Sequence, residues 1–301
     1  MTDSTMRLHG VLAPVITPFH EKSEDLDVAA FARNVQALVA AGLHGIVVCG
    51  STGEAALLSD DERRVLLEAA RGATPRDRML LMGAGAESTR QTLKRCADAK
   101  AAGADAVLVV APHYYANAMN IEALRIHYRA VADQSPLPVV LYNIPKYMHF
   151  ALPPELVAEL ALHPNVIGIK DSSGDLNMLG GFLKTQSDSF TVITGNGGTF
   201  AQALQAGARG GILAVADFAP ALCLQVYDAH MKGDLALANE LQAALKPLAA
   251  VIVAELGVPG VKTACDVVGL AGGTARRPLV DLDEAAELRV RELLGSVVVA
   301  A

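Results

Sequence analysis

The chain of 301 residues is 52% hydrophobic and 19% charged. That composition supports a sizeable core and excludes a disordered chain. A formal net charge of −7, with no basic stripe, argues against nucleic acid and anionic membrane as partners. Cys49, Cys96, Cys223 and Cys265 are widely spaced without a CxxC pair, which predicts a reducing, cytoplasmic setting and no disulfide framework. The first twenty residues carry Asp3, Arg7 and His9 and read as no signal peptide. No apolar run is read as reaching the roughly 18 residues that span a bilayer.

Short β-branched runs alternate with segments of helical period. Strands are predicted at residues 10–19, 45–50, 79–85, 106–112, 138–145, 166–172, 190–196 and 210–217. Most are continuously apolar, as strands covered on both faces are. The helices between them have readable ends. Ser59 with Glu62, and Ser88 with Gln91, fit capping boxes, and Pro153-Pro154 opens another helix. Gly42, Gly72 and Gly103 read as helix stops. Eight strands with intervening helices predict a (β/α)8 barrel over residues 1–218. An open doubly wound sheet is the alternative, but no GxGxxG follows the first strand. Residues 219–301 read as a C-terminal helical extension packed on the barrel, with helices at 219–230, 235–256, 258–268 and 283–294.

Active sites of such barrels lie at the C-terminal ends of the strands. After the second strand comes Gly50-Ser51-Thr52-Gly53-Glu54, a turn with backbone and hydroxyl donors suited to a carboxylate, or an ordinary strand-to-helix turn. Tyr114 and Tyr115 follow the fourth strand, as packing, interface or functional groups. Tyr142 ends the fifth strand and Lys170 the sixth. An ammonium at the end of a buried apolar strand is costly. Lys170 is therefore either ion-paired, with Asp171 or Glu54 as partner, or a neutral amine that attacks carbonyls. Neighbouring parallel strands lie about 4.8 Å apart, so a phenol and an amine on them reach one substrate. The glycines at 195, 197 and 198, and at 210 and 211, either hold a phosphate or permit close packing. Eight scattered histidines, with no HExxH or HxH pair, predict no metal site.

Three segments together carry a resemblance: Gly50-Ser51-Thr52-Gly53-Glu54, Tyr142-Asn143-Ile144-Pro145 and Gly168-Ile169-Lys170-Asp171. In order and spacing they resemble the signatures of the dihydrodipicolinate synthase/N-acetylneuraminate lyase family, and the likeness spans nearly the whole chain. That resemblance implies a (β/α)8 class I aldolase or lyase, a homotetramer built as a dimer of dimers. It implies a Schiff base between lysine and pyruvate or another 2-oxo acid, with no cofactor. Lys170 is then the Schiff-base lysine and Tyr142 the proton relay. Ser51 and Thr52 bind the pyruvyl carboxylate, and Thr52 and Tyr115, with Tyr114 as the alternative tyrosine, complete a hydroxyl relay that reaches a neighbouring subunit's site. Gly195 and Ile212 supply backbone contacts beside the lysine. Dihydrodipicolinate synthases carry an arginine two residues past the YNxP motif; here Tyr147 stands in that place, after Lys146. The expected reaction is therefore cleavage of 4-hydroxy-2-oxoglutarate to pyruvate and glyoxylate. The alternatives are condensation of pyruvate with aspartate semialdehyde to 4-hydroxy-tetrahydrodipicolinate, an N-acetylneuraminate-type lyase, and a non-enzymatic 2-oxo acid sensor.

Overall fold

The computed structural model describes residues 8–298. Eight parallel strands close into a barrel in sequence order: β1 (Gly10–Pro14), β2 (Gly45–Val48), β3 (Met79–Gly83), β4 (Ala106–Val110), β5 (Val139–Asn143), β6 (Val166–Asp171), β7 (Thr191–Thr194) and β8 (Gly210–Ile212). β8 pairs back onto β1 through Gly10 and Gly210. A Cβ on Gly210 would lie 2.1 Å from the Gly10 carbonyl oxygen, so the glycines of β8 serve close strand packing. The predicted strands run past the ladders at their C-terminal ends. β1 stops at Pro14, and the chain after β8 turns into a 3-10 segment, Ala214–Asp217. These overhangs are the loops that form the barrel mouth.

The barrel helices are α1 (Val28–Ala40), α2 (Asp60–Ala73), α3 (Thr89–Ala101), α4 (Ile121–Gln134), the single turn α5 (Pro145–Met148), α6 (Pro154–Leu160), α7 (Leu176–Leu183) and α8 (Phe200–Ala206). Polar caps set their starts. Ser59 and Glu62 form the complete capping box of α2, and Asp27, Ser88, Asn120 and Asp175 each accept from a first-turn amide. Gly42 and Gly103, both at positive φ, follow α1 and α3. Gly72 does not stop α2, which continues through it to Ala73. One core runs from the barrel interior to the helix ring: Val47, Leu81, Val109, Leu141 and Ile169 are fully buried. Each such side chain stabilises the fold by about 1.5–3 kcal/mol relative to exposure.

The helix after β8, α9 (Pro220–Met231), completes the ring of barrel helices, so the barrel runs past residue 218; beyond it come α10 (Leu235–Pro247), a π-helical stretch Leu248–Glu255, α11 (Gly257–Val267) and α12 (Glu284–Val298). α9 packs on α8 and β1, and α10 on α9. Pro247 lacks the N–H that an α-helix needs and crowds the preceding turn, and there the helix widens. The run Leu235–Glu255 is long and apolar enough to cross a membrane by length and composition, contrary to the sequence reading. It packs against α9 and α11 and walls the pocket below.

Candidate active site

A cavity of about 460 Å³ opens at the C-terminal ends of the strands. The barrel floor contributes Tyr142, Lys170 and Ile212, the loops contribute Ser51, Thr52 and Gly195, and Val253 and Val258 stand on the C-terminal wall.

The central pair owes its alignment to a bulge. Val139 pairs with Val166, but Val140 pairs with Gly168, so Ile167 is an extra residue in β6. From there Tyr142 stands opposite Lys170 and Asn143 opposite Asp171. Without the extra residue Tyr142 would face Ile169, and Lys170 would point to the other side of the sheet. The Lys170 Nζ lies 4.4 Å from the Tyr142 ring centroid, and each residue is 5% exposed. Gly195 makes room for the amine: a Cβ there would sit 2.7 Å from Lys170 Cε and 1.9 Å from Ser172 Oγ.

Neither proposed ion partner pairs with Lys170. Side chains alternate along a strand, so Asp171 leaves on the opposite face. Its carboxylate accepts from Asn143 Nδ2 at 2.8 Å and Ser173 Oγ at 2.8 Å, while burial pushes its pKa up. Asn143 Oδ1 in turn accepts from Leu152 N at 2.9 Å, which ties the β5 end to the start of α6. Glu54 pairs instead with Lys262 of α11, Nζ to Oε1 at 2.6 Å, with both side chains buried. Among the described residues Lys170 makes no ion pair.

The Glu54–Lys262 pair anchors the hydroxyl turn. Cys49 and Glu54, at φ 55 and 57, both adopt the left-handed conformation that non-glycine residues rarely take. Between them lie Ser51 and Thr52. Lys262 also donates to Thr17 O at 2.8 Å, Thr17 Oγ1 donates to Gly53 O at 2.8 Å, and Arg276 N donates to Glu54 Oε2 at 2.8 Å. The C-terminal extension therefore fixes the turn from below. Across the pocket, Gln242 of α10 accepts from Ala201 N and donates to the carbonyls of Gly197 and Gly198. Those two carbonyls are thus engaged by the extension.

Sequence reasoning missed three groups. Lys262 and Gln242 lie in helical sequence with no local signal, and their partners are 208 and 45 residues away. Asp217, 1% exposed, ends the 3-10 turn after β8, and neither carboxyl oxygen has a partner among the described residues. Burial raises its pKa well above 3.8, against the opposing field of Lys170. Tyr115 and Tyr114, predicted near the site, are 71% and 78% exposed and do not line the pocket of their own chain.

An amine and a phenol held face to face inside a (β/α)8 barrel, beside a turn of hydroxyls, belong to an enzyme of the aldolase/lyase class. The chain belongs to the dihydrodipicolinate synthetase family, whose model matches residues 7–297. It is 37% identical over 291 residues to a 4-hydroxy-tetrahydrodipicolinate synthase of Methanoculleus marisnigri, covering 95% of this chain and 98% of the relative. The same identity over 292 residues, with the same coverage of each, holds for the Methanospirillum hungatei enzyme of that name. Among solved structures, dihydrodipicolinate synthase of Thermotoga maritima superposes with a TM-score of 0.91 at 30% identity, covering 97% of this chain and 99% of that one. A prophage protein of E. coli K12 in the same family, solved with pyruvate, gives 0.90 at 29% identity, covering 96% and 98%.

Proposed function

We propose that this enzyme condenses pyruvate, held as a Schiff base on Lys170, with an aldehyde, and that the product is 4-hydroxy-tetrahydrodipicolinate. The observation that carries the chemistry is the opposition of Lys170 and Tyr142 in one pocket with Ser51 and Thr52. The names of the two relatives support the product. They put this reading ahead of 4-hydroxy-2-oxoglutarate cleavage, which the sequence alone had favoured.

Bound by its carboxylate at Ser51–Thr52, pyruvate presents C2 to the Lys170 amine, and attack becomes intramolecular in effect. Tyr142 passes protons to the carbinolamine oxygen, which leaves as water, and an iminium remains. The Tyr142 relay takes a proton from C3, and the electron pair of that C3–H bond moves into the iminium to give an enamine. Enamine C3 then bonds to the carbon of the aldehyde, whose oxygen takes a proton relayed by Tyr142. The amino group that aspartate semialdehyde carries then attacks C2 of the re-formed iminium and displaces the Lys170 amine, which closes the ring of the product and frees the enzyme. In this scheme the iminium is the electron sink, so the chemistry calls for no further cofactor. Gly195 and Ile212 contribute backbone beside the lysine.

Assembly is part of the proposal. Tyr114 and Tyr115 form an exposed edge-to-face pair with ring centroids 5.0 Å apart. A second copy covering that pair would receive the Tyr115 hydroxyl and join it through Thr52 to Tyr142, in a homotetramer.

A second reading rests on Tyr147. It lines the pocket, and among the described residues no arginine does. That favours cleavage of 4-hydroxy-2-oxoglutarate to pyruvate and glyoxylate. Two assays test these statements. Borohydride with pyruvate should label Lys170; a label mapped to Lys146 or Lys262 sinks the Schiff-base assignment. Paired kcat/KM values then choose between aspartate semialdehyde condensation and 4-hydroxy-2-oxoglutarate cleavage, the larger naming the reaction.

A further inference from the structure

The charge of the pocket lining differs from that of the chain. The protein is net negative at −7, yet among the described residues the lining contains Lys146, Lys170 and Lys246 and no aspartate or glutamate. Lys170 is committed to the reaction. The other two cations stand on different walls of the mouth. Lys146 is the second residue of the single turn α5 just past β5, and Lys246 lies in the last turn of α10. The π-helical stretch connects these walls: Lys146 Nζ donates to Ala254 O at 3.1 Å, which holds the ammonium at the rim. It also lies 5.7 Å from the Tyr147 ring centroid. Lys246 is exposed and has no hydrogen-bond or ion-pair partner among the described residues. The cavity is in the size range that encloses drug-sized ligands. A three-carbon acid on Lys170 therefore leaves its outer part free.

We infer that Lys146 and Lys246 form an anion clamp that selects an acceptor aldehyde bearing a carboxylate at the end remote from its carbonyl. The inference rests on the proposed Schiff-base reading and adds which residues choose the second substrate. Two ammonium groups without a competing carboxylate in the lining attract such an end and offer nothing to a neutral one. Lys146 is pre-oriented by the Ala254 carbonyl, and Lys246 lines the same mouth from the C-terminal extension. An arginine on α5 is therefore not required for a carboxylate to be held at the mouth.

The test compares succinic semialdehyde with butanal, acceptors of equal carbon number that differ by a carboxylate, using wild type, Lys146→Gln, Lys246→Gln and the double variant. The ratio of kcat/KM for the two acceptors should strongly favour succinic semialdehyde in wild type. It should fall about ten-fold in each single variant and further in the double, as the loss of one charge-assisted hydrogen bond predicts. Calorimetry reads the clamp without turnover. Glutarate should bind wild type more tightly than butyrate, and the difference should shrink about ten-fold in each single variant. Unchanged ratios in both measurements overturn the clamp. Absence of a pyruvate–borohydride label, with the glutarate preference intact, instead overturns the Schiff-base reading and leaves the clamp standing.

Discussion

At Lys170 the chain places an amine where an ordinary barrel strand would end in a small or apolar residue. A ring face and a glycine lie against it, and it makes no ion pair among the described residues. Removal of the amine by Lys170→Ala should abolish turnover while the circular dichroism spectrum stays native. Tyr142→Phe keeps the ring against the amine and removes only the proton carrier. Its kcat should fall about 10²–10⁴-fold, with a smaller change in pyruvate affinity. A near-normal kcat would reduce Tyr142 to packing.

Asp217 gives a stability prediction at the same scale. Its folded pKa lies well above the ordinary 3.8, so the native state holds a proton that the unfolded chain releases once pH exceeds about 4. Fewer protons on the unfolded state mean that stability falls as pH rises from there toward the folded pKa. Asp217→Asn removes this dependence. Thermal unfolding should show the variant more stable than wild type at pH 8 and equal to it near pH 4. A variant less stable than wild type at pH 8 would mean that Asp217 is ionised and paired in the native state.

Among the elements, the C-terminal extension does most to complete the site. α11 walls the pocket with Val258 and Val261 and sends Lys262 under the hydroxyl turn. Burial lowers the Lys262 pKa, and the Glu54 carboxylate opposes that. Lys262→Met leaves a buried carboxylate unpaired and should cost about 3–5 kcal/mol. Adding Glu54→Gln should recover much of that stability. Activity should not return with it. Loss of the anchor displaces Ser51 and Thr52, and kcat/KM for pyruvate should stay down by about 10²-fold in the double variant. A double variant with full activity would make the pair purely structural.

Such elements explain what could and could not be read from the chain. The barrel was legible because strands covered on both faces must be continuously apolar, as Val107-Leu108-Val109 and Val139-Val140-Leu141 are. Lys170 and Tyr142 were legible because a polar group ending such a run breaks the pattern. The bulge at Ile167 was not, since it depends on the partner strand and leaves no mark on hydrophobicity. Lys262 looked like any helical lysine, and its role follows from a contact spanning 208 residues. Asp171 and Glu54 were proposed as partners of Lys170 on sequence proximity or motif, and geometry assigned them to Asn143 and Ser173 and to Lys262. Asp217 was hidden at the end of a predicted strand that in fact turns away.

At the scale of the whole molecule two fields act on an anionic substrate. The net charge of −7 repels it from afar, and the lysines of the mouth attract it close by. Salt separates them by range. At 0.01 M the screening length is about 30 Å, comparable to the whole barrel, so the global repulsion is felt. Near 0.1 M it is about 10 Å, and the global field fades while the mouth still acts. At 1 M, about 3 Å, the mouth is screened as well. The kcat/KM for an anionic acceptor should therefore rise and then fall with added salt, with its maximum near 0.1 M, whereas a neutral acceptor such as butanal should respond much less. In the Lys146→Gln/Lys246→Gln double variant only the repulsion remains, so the falling limb should disappear. A wild-type profile that rises steadily to 1 M would mean that the lysines do not act on the entering anion. A profile that falls from the lowest salt onward would mean that the surface charge is too remote to matter.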